Sequence, residues 1–190
     1  VLGPNGAGKS TLFNLVAGDL AVSSGSVLMD GRDLTSTPAH LRSRSGVARS
    51  YQKSTLFTGL SVADNIRLAL LGARGPRAGL RAAETRVLES EVQGIAERVG
   101  LGALTAEGAH EMSHGQQRQL ELGIALAAKP RLLLLDEPAA GLSPSERQLL
   151  SRLLSELPRE LTIILIEHDM DVALPFADLV TVMHDGSVVD

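Results

Sequence analysis

Apolar residues along this chain follow two spacings, which predict two kinds of element. In residues 10–17 they recur at helical spacing, and Gly18 is a residue type that commonly ends a helix. In residues 131–136 and 162–166 they instead form continuous runs. Such runs are typical of strands buried on both faces, as in a parallel sheet. The chain therefore combines helices with a buried, mostly parallel sheet.

Polar residues mark where further helices begin. Ser113 with Gln116, and Ser143 with Glu146, have the spacing of a capping box, in which each side chain bonds the other residue's backbone N–H. We predict further helices over residues 61–71, 77–99 and 113–128, and one that begins at Ser143. We predict further strands at residues 1–2, 27–29, 46–52, 179–183 and 187–189.

The order of these elements predicts an α/β fold in a single domain. Residues 1–54 and 129–190 carry the buried strands and form the core, whereas residues 55–128 form a helical insert. With 190 residues, of which 44% are hydrophobic, the chain is long enough to bury such a core. Because the first residue lies in a predicted strand and is not Met, we expect a fragment truncated at both ends.

Composition argues against several classes of protein. The net charge of −4 argues against nucleic-acid binding, which usually needs a basic face. The absence of cysteine excludes disulfides and thiolate metal sites. No apolar run approaches the roughly 20 residues that span a bilayer. We therefore expect any membrane role to depend on a partner.

The strongest chemical signal is a glycine-rich loop at the start of the chain. Residues 3–11 have the sequence GPNGAGKST, which fits the phosphate-binding pattern G-x-x-x-x-G-K-[ST]. Glycines let such a loop turn its backbone N–H groups around nucleotide phosphates. Lys9 adds a cation, Ser10 offers a hydroxyl to Mg²⁺, and the next helix points its positive end at the phosphates. We therefore predict a nucleotide site here.

Two carboxylates and a histidine follow the buried strands. Beside a phosphate loop, Asp136 is suited to hold Mg²⁺ through water, and Glu137 to polarise the attacking water. His168 is suited to contact a γ-phosphate, and the Gln52 amide to reach Mg²⁺ and water. Taken alone, each of these residues is more often a solvated or structural side chain, so their interpretation depends on the loop upstream.

A further motif, MSHGQQ at residues 112–117, precedes a predicted helix. With it, the sequence resembles the ATP-binding subunits of ABC transporters. Phosphate-loop GTPases and small-molecule kinases share the glycine-rich loop but lack this motif. The matches to the family are residues 3–11 to the Walker A loop, Gln52 to the Q-loop, residues 112–116 to the signature motif, residues 132–137 to Walker B, residues 140–143 to the D-loop and His168 to the H-loop.

The resemblance implies a phosphate-loop NTPase core of the RecA-like type, interrupted by an α-helical subdomain, that binds ATP and Mg²⁺ and hydrolyses ATP. It implies catalytic roles for Glu137, His168 and Gln52, and a metal site at Ser10, Gln52 and Asp136. The nucleotide-binding residues it implies are Gly3, Asn5, Gly6, Gly8, Lys9, Ser10, Thr11, Ser113, Gly115 and Gln116. It also implies a head-to-tail homodimer or heterodimer of two such ATPases, with each ATP between one subunit's loop and the other's signature motif.

Finer features resemble the group that energises importers of branched-chain amino acids. They are the strings VARSYQ at residues 47–52, LFTGLSV at 56–62, SHGQQRQLE at 113–121 and EHDMDV at 167–172. The group implies transmembrane permease subunits and, through them, a solute-binding protein as partners. It also implies a peripheral location on the cytoplasmic face of the cell membrane. Leu56, Phe57 and Leu60 are candidate permease contacts, with core packing as the alternative.

Other functions within the family remain open at this point. Urea importers and lipopolysaccharide exporters lie close to the same group. A soluble ABC ATPase of DNA repair or translation is a different class, although such proteins usually carry two cassettes or long coiled-coil inserts. A regulatory module that does not hydrolyse ATP is disfavoured, because Lys9, Asp136, Glu137 and His168 are all present.

Three features depart from the family pattern. His114 replaces the first glycine of the signature motif, which would strain the backbone if φ had to be positive there. Ser143 stands where the D-loop usually has Asp. The aromatic residue that stacks on adenine in this family would lie upstream of residue 1.

Overall fold

Three parallel strands form the sheet that positions the predicted site residues. The computed structural model describes residues 1–50, 56–74 and 82–189. The strands are β3 (Val47–Arg49), β4 (Leu132–Asp136) and β5 (Thr162–Ile166), with β4 in the middle. The bounds of β5 agree with the prediction, and β4 begins one residue after its predicted start. Their register pairs Asp136 with Ile166, so both strands end at the same edge.

Helices cover both faces of this sheet. On one face, Phe13 packs with Leu134 and Ile166 in a small cluster under the first helix. On the other, Leu133 and Leu135 join a larger cluster that extends into the middle of the chain. Because successive side chains of a strand point to opposite faces, β4 must be apolar throughout, as its sequence predicts. The helices are α1 (Lys9–Ala17), α2 (Ala39–Arg44), α3 (Val62–Arg74), α4 (Ala82–Arg98), α5 (His114–Ala127), α6 (Pro144–Ser155) and α7 (Met170–Ala173).

The predicted helix termini are present in the structure. Gly18 ends α1 in the left-handed conformation with φ 86°. Both capping boxes are formed, at Ser113 with Gln116 and at Ser143 with Glu146. Where the chain is described, none of the helices is long and apolar enough to cross a bilayer.

Helices α3 and α4 pack against each other and against α5. They share the larger apolar cluster, with Ile66 and Val99 fully buried in it. The division of the chain into a core of residues 1–54 and 129–190 and a subdomain of residues 55–128 stays a prediction.

Some element predictions need correction. The strand predicted at residues 179–183 is β6 at Val182–His184, which pairs with β7 at Ser187–Val189. Leu179 is 81% exposed, so its apolar character there does not reflect burial in a sheet. At residues 1–2, where the end of a strand was predicted, Leu2 forms an isolated parallel bridge to Val182.

Two short elements near the start of the chain also differ from prediction. The strand at residues 27–29 is a two-residue β1 (Leu28–Met29), which pairs with an unpredicted β2 (Arg32–Asp33). The turn between them places Asp30 and Gly31 at positive φ. Helix α2 was not predicted, because it carries no apolar stripe and its buried residue is Arg42.

Candidate nucleotide site

The glycine-rich loop bends tightly against a neighbouring strand. Gly3 has φ 151°, and a Cβ there would lie 2.2 Å from the carbonyl oxygen of Met183, so only glycine fits. The ammonium group of Lys9 donates to the carbonyl oxygens of Gly3 at 2.7 Å and Pro4 at 2.9 Å. Helix α1 begins after Gly8, which offers no side-chain cap. The first N–H groups of α1 therefore remain available to an anion.

The outer surface of the same loop is accessible. Asn5 and Gly6 are exposed, and so are Ser10 and Thr11 at the start of α1. Lys9 is only 7% exposed, so its charge lies within the loop rather than in solvent. An anion that entered the loop would meet backbone N–H groups, two hydroxyls and one buried cation, which is the donor set that phosphates require.

Asp136 ends β4 as a buried carboxylate. Its Oδ2 lies 3.5 Å from Nη2 of Arg49, whereas its buried Oδ1 has no hydrogen-bond partner among the described residues. Burial raises the pKa of Asp136 above its ordinary value, and the charge of Arg49 opposes the rise. An orphaned, buried carboxylate oxygen fits a Mg²⁺ site, because a hard cation or its bound water would satisfy it.

Glu137 and His168 meet at the edge where β4 and β5 end. The Nε2 atom of His168 lies 2.9 Å from Oε1 of Glu137. The backbone brings them together, because the N–H of Glu137 donates to the carbonyl oxygen of Ile166 at 2.9 Å. Glu137 has φ 50°, an uncommon conformation for a residue other than glycine. The sequence prediction that both side chains serve one site is therefore compatible with their positions.

The predicted signature residues lie together at the start of α5. Ser113 is the exposed N-cap, and its side chain accepts from the N–H of Gln116 at 3.2 Å, while its own N–H donates to the Gln116 side chain at 2.8 Å. The N–H of Gly115 donates to Oε1 of Glu146 on α6 at 3.1 Å. A Cβ at Gly115 would lie 2.2 Å from that same oxygen. The Glu146 carboxylate therefore occupies the space next to Gly115, and a side chain at this position would displace it.

The expected strain at His114 does not occur. His114 is the first residue of α5 and has helical backbone geometry rather than a positive φ. Its ring faces the backbone of Gly141, where a Cβ would lie 3.2 Å from the His114 Cε1 atom. The side chain therefore lies over the residues matched to the D-loop.

The structure brings the predicted site residues together in three groups: residues 3–11, the pair Glu137 and His168 beside Asp136, and the start of α5. Gln52 lies outside the described residues.

Sequence reasoning missed two charged residues that brace this region. Arg49 on β3 donates to Asp19 at 2.9 Å and approaches Asp136. Glu167 is only 4% exposed and accepts from the backbone N–H groups of Ala139 and His168. Both residues could have been found from their position, because each lies at the end of a buried strand. A charged side chain that is buried there needs a hydrogen-bond or ion-pair partner.

Comparison with known proteins identifies the family. The profile of the ABC transporter family matches residues 1–140. The chain belongs to this family. The high-affinity branched-chain amino acid transport ATP-binding protein BraF of Pseudomonas aeruginosa is 34% identical over 197 residues, which cover 98% of this chain and 77% of BraF.

Solved structures agree with this assignment. The ATP-binding cassette MJ1267 of an ABC transporter matches with a TM-score of 0.85 and 27% identity, over 100% of this chain and 77% of that one. The ATP-binding cassette MJ0796, solved as a dimer in a post-hydrolysis state with ADP and Pi, matches with a TM-score of 0.80 and 25% identity, over 98% and 80%. This ABC protein therefore has the fold of the family's ATPase domain. It is an ATP-binding and ATP-hydrolysing subunit of an ABC transporter.

Proposed function

We propose that this ABC ATPase energises the import of branched-chain amino acids. The observation that carries the proposal is its 34% identity to BraF over 98% of the chain. Solute selection in such a system belongs to other subunits, so the ATPase supplies the energy and the interface to the permease. We place the protein at the cytoplasmic face of the membrane, held there by permease subunits that receive solute from a binding protein.

Each residue of the predicted site has a role in this proposal. Lys9 and the N–H groups of residues 3–11 bind the β- and γ-phosphates of ATP. Glu137 accepts the proton of the attacking water. His168, 2.9 Å from Glu137, orients that water and contacts the γ-phosphate.

Mg²⁺ completes the ATP site in the proposal. The Ser10 hydroxyl, Asp136 through a water molecule and the Gln52 amide would hold it. When bound, it neutralises charge on the phosphates and favours the ionised form of Asp136. The buried Oδ1 of Asp136 supports this assignment, because it has no hydrogen-bond partner in the part of the chain that the structure describes.

Two subunits would share each ATP. Ser113, Gly115 and Gln116 at the start of α5 would face the γ-phosphate bound to the partner subunit's glycine-rich loop. The N-cap position of Ser113 supports this, because the helix offers a positive end there. The dimeric post-hydrolysis structure of MJ0796 supports a dimer of two ATPases.

The permease would contact the surface near residues 56–60. Phe57 is 59% exposed, whereas Leu56 and Leu60 are partly buried, with Leu56 packed against the larger apolar cluster. Phe57 is therefore the better candidate for a contact with a permease, and Leu56 serves packing.

The test is reconstitution of the protein with its permease subunits and binding protein in liposomes. We expect ATPase activity and uptake to be stimulated by leucine, isoleucine and valine and not by urea. Stimulation by urea alone would replace the solute assignment. ATP-driven movement of a lipopolysaccharide outward, or no association with any permease, would contradict import.

A further inference from the structure

Glu167 holds two separate backbone segments with one buried carboxylate. Its Oε1 accepts from the N–H of Ala139 at 2.7 Å. Its Oε2 accepts from the N–H groups of His168 at 3.0 Å and Asp169 at 3.3 Å. The residue is 4% exposed. Within the described part of the chain, all of its hydrogen bonds are with backbone donors, so the main chain fixes both oxygens of the carboxylate.

These two segments carry the Glu137–His168 pair. Ala139 lies two residues after Glu137, and His168 follows Glu167 directly. A buried carboxylate is costly unless it is hydrogen-bonded, and bonds to an ionised acceptor are about twice as strong as neutral ones. The contact therefore resists any separation of the two segments, and with them of the Glu137 and His168 side chains.

A second, more exposed contact joins the same segments. The Nε of Arg147 donates to the carbonyl oxygen of Leu142 at 3.0 Å, and its Nη1 donates to Asp169 at 2.8 Å. The Arg147 side chain is 43% exposed, and an ion pair of that kind contributes little. Of these two side-chain contacts, Glu167 is therefore the stronger, and it acts beside the backbone hydrogen bond from the Glu137 N–H to the Ile166 carbonyl oxygen.

We propose that Glu167 is a positioning residue for ATP hydrolysis, which sets the distance between Glu137 and His168 through the backbone. The inference rests on the proposed roles of those two residues. It assigns Glu167 no contact with ATP or water. Its removal should lower the rate of hydrolysis and leave ATP affinity unchanged, because its hydrogen bonds within the described residues go to Ala139, His168 and Asp169 and not to the glycine-rich loop.

Glu167→Gln is the sharpest variant. Gln has nearly the same volume, but its amide nitrogen must face either the N–H of Ala139 or those of His168 and Asp169, and two donors then oppose each other. Displacement of a reacting group by about 1 Å costs on the order of 100-fold in rate. We expect kcat to fall by about 10- to 100-fold, with the dissociation constant for ATP within about twofold of the parent value.

A double-mutant cycle with His168→Ala separates positioning from general destabilisation. Once the His168 ring is absent, the distance between Glu137 and His168 has a smaller effect on the rate of hydrolysis. The double variant should therefore lose less activity than the product of the two single losses, by at least about fivefold. If the loss of activity in the double variant equals the product of the two single losses, the inference is overturned. A loss of ATP affinity as large as the loss of kcat would also overturn it.

Asn65→Ala is the matched control. Asn65 is 1% exposed and also links backbone groups, accepting from the N–H of Phe57 and donating to the carbonyl oxygen of Ser61, both at 2.9 Å. This variant should have a lower melting temperature than the parent. Its kcat, measured at a temperature where it is still folded, should equal that of the parent. Should Glu167→Gln fail to fold, Glu167→Asp keeps the charge, cannot span both segments and enters the same cycle.

The proposed function has a separate control. Glu137→Gln that hydrolyses ATP at the parent rate would remove the proposed site itself. If Glu137→Gln is inactive but the losses of the Glu167 and His168 variants simply multiply in the double variant, only the role of Glu167 is overturned.

Discussion

The backbone N–H of Gly115 donates to the carboxylate of Glu146, so a residue on α6 caps the first turn of α5. The other oxygen of Glu146 accepts from the N–H of Ser143 at 2.8 Å and from its hydroxyl at 2.7 Å. One carboxylate therefore serves the starts of two helices. These are the segments matched to the signature motif and the D-loop, so the contact fixes them relative to each other.

The Glu146 contact predicts a pH dependence of stability. Hydrogen bonds from Ser143 hold the pKa of Glu146 below its ordinary value, and Gly115 and His114 act in the same direction. A carboxyl with a lowered folded pKa stabilises the protein above its unfolded pKa, near 4.3, and loses that contribution as pH falls toward the folded value. Urea midpoints measured across this acid range should fall less steeply for Glu146→Gln than for the parent. The exposed Glu160→Gln is the control, and identical slopes for all three proteins would contradict the prediction.

Arg42 should be critical for the stability of the α1 region. It is 1% exposed, and its guanidinium donates to four carbonyl oxygens, including those of Leu15 and Val16 near the end of α1. Arg42→Met would leave these buried oxygens without donors, at a cost of about 3 kcal/mol or more. Chemical denaturation measures this loss. The exposed Arg44→Met on the same helix should be nearly neutral, and equal losses at both positions would refute the argument.

Local signals in the sequence predicted those parts of the fold that local physics determines. The strand at residues 162–166 was predictable because both of its faces are buried. The capping boxes at Ser113 and Ser143 were predictable because their partners lie three residues away. Helix α2 was not, because Arg42 finds its partners through tertiary contacts.

The candidate site likewise has parts that could be predicted from the sequence and parts that could not. The glycine-rich loop and the carboxylates at the end of β4 are local motifs and could be found from the sequence. The contacts of Glu146 with Gly115 and of Glu167 with Ala139 join residues that are 31 and 28 positions apart. No local pattern specifies such a pairing, so these contacts emerge only once the strands and helices are packed.

Lys9→Ala should weaken ATP binding by about 10- to 100-fold, because it removes a buried cation whose hydrogen bonds to charged phosphates contribute roughly 1.5–3 kcal/mol. Nucleotide titration followed by calorimetry measures the change. Lys129→Ala is the matched control, because Lys129 is 77% exposed and its recorded ion pair is with Glu91 on the surface. Near-parent affinity of the Lys9 variant would contradict the role given to the glycine-rich loop.

Glu137→Gln should keep ATP binding and nearly stop hydrolysis. The amide fills the same space but does not accept the proton of the attacking water. Unhydrolysed ATP should then hold two subunits together, so size-exclusion chromatography should show a dimer with ATP and a monomer without it. Glu156→Gln at the exposed end of α6 should behave as the parent does. A Glu137 variant that turns over at the parent rate would remove this residue from the catalytic role.

Ser113→Arg tests whether each ATP is shared between two subunits. The variant keeps its own glycine-rich loop, so it should bind ATP as a monomer. The arginine would block the contact with the partner's γ-phosphate, and loss of the N-cap costs the helix about 0.5–2 kcal/mol. Dimerisation and hydrolysis should therefore fail together, whereas Ser155→Arg on the exposed end of α6 should leave both intact.

The decisive measurement mixes Ser113→Arg protein with Lys9→Ala protein. In a two-fold dimer, each site combines one subunit's loop with the other's α5, so a mixed dimer has one site with both changes and one with neither. ATPase activity should therefore return on mixing, although each variant alone is inactive, provided that one intact site suffices. Parent-level activity of Ser113→Arg alone, independent of protein concentration, would mean that a single chain contains the complete site. In that case the α5 N-terminus would have no part in hydrolysis, and Ser113 would only cap its own helix.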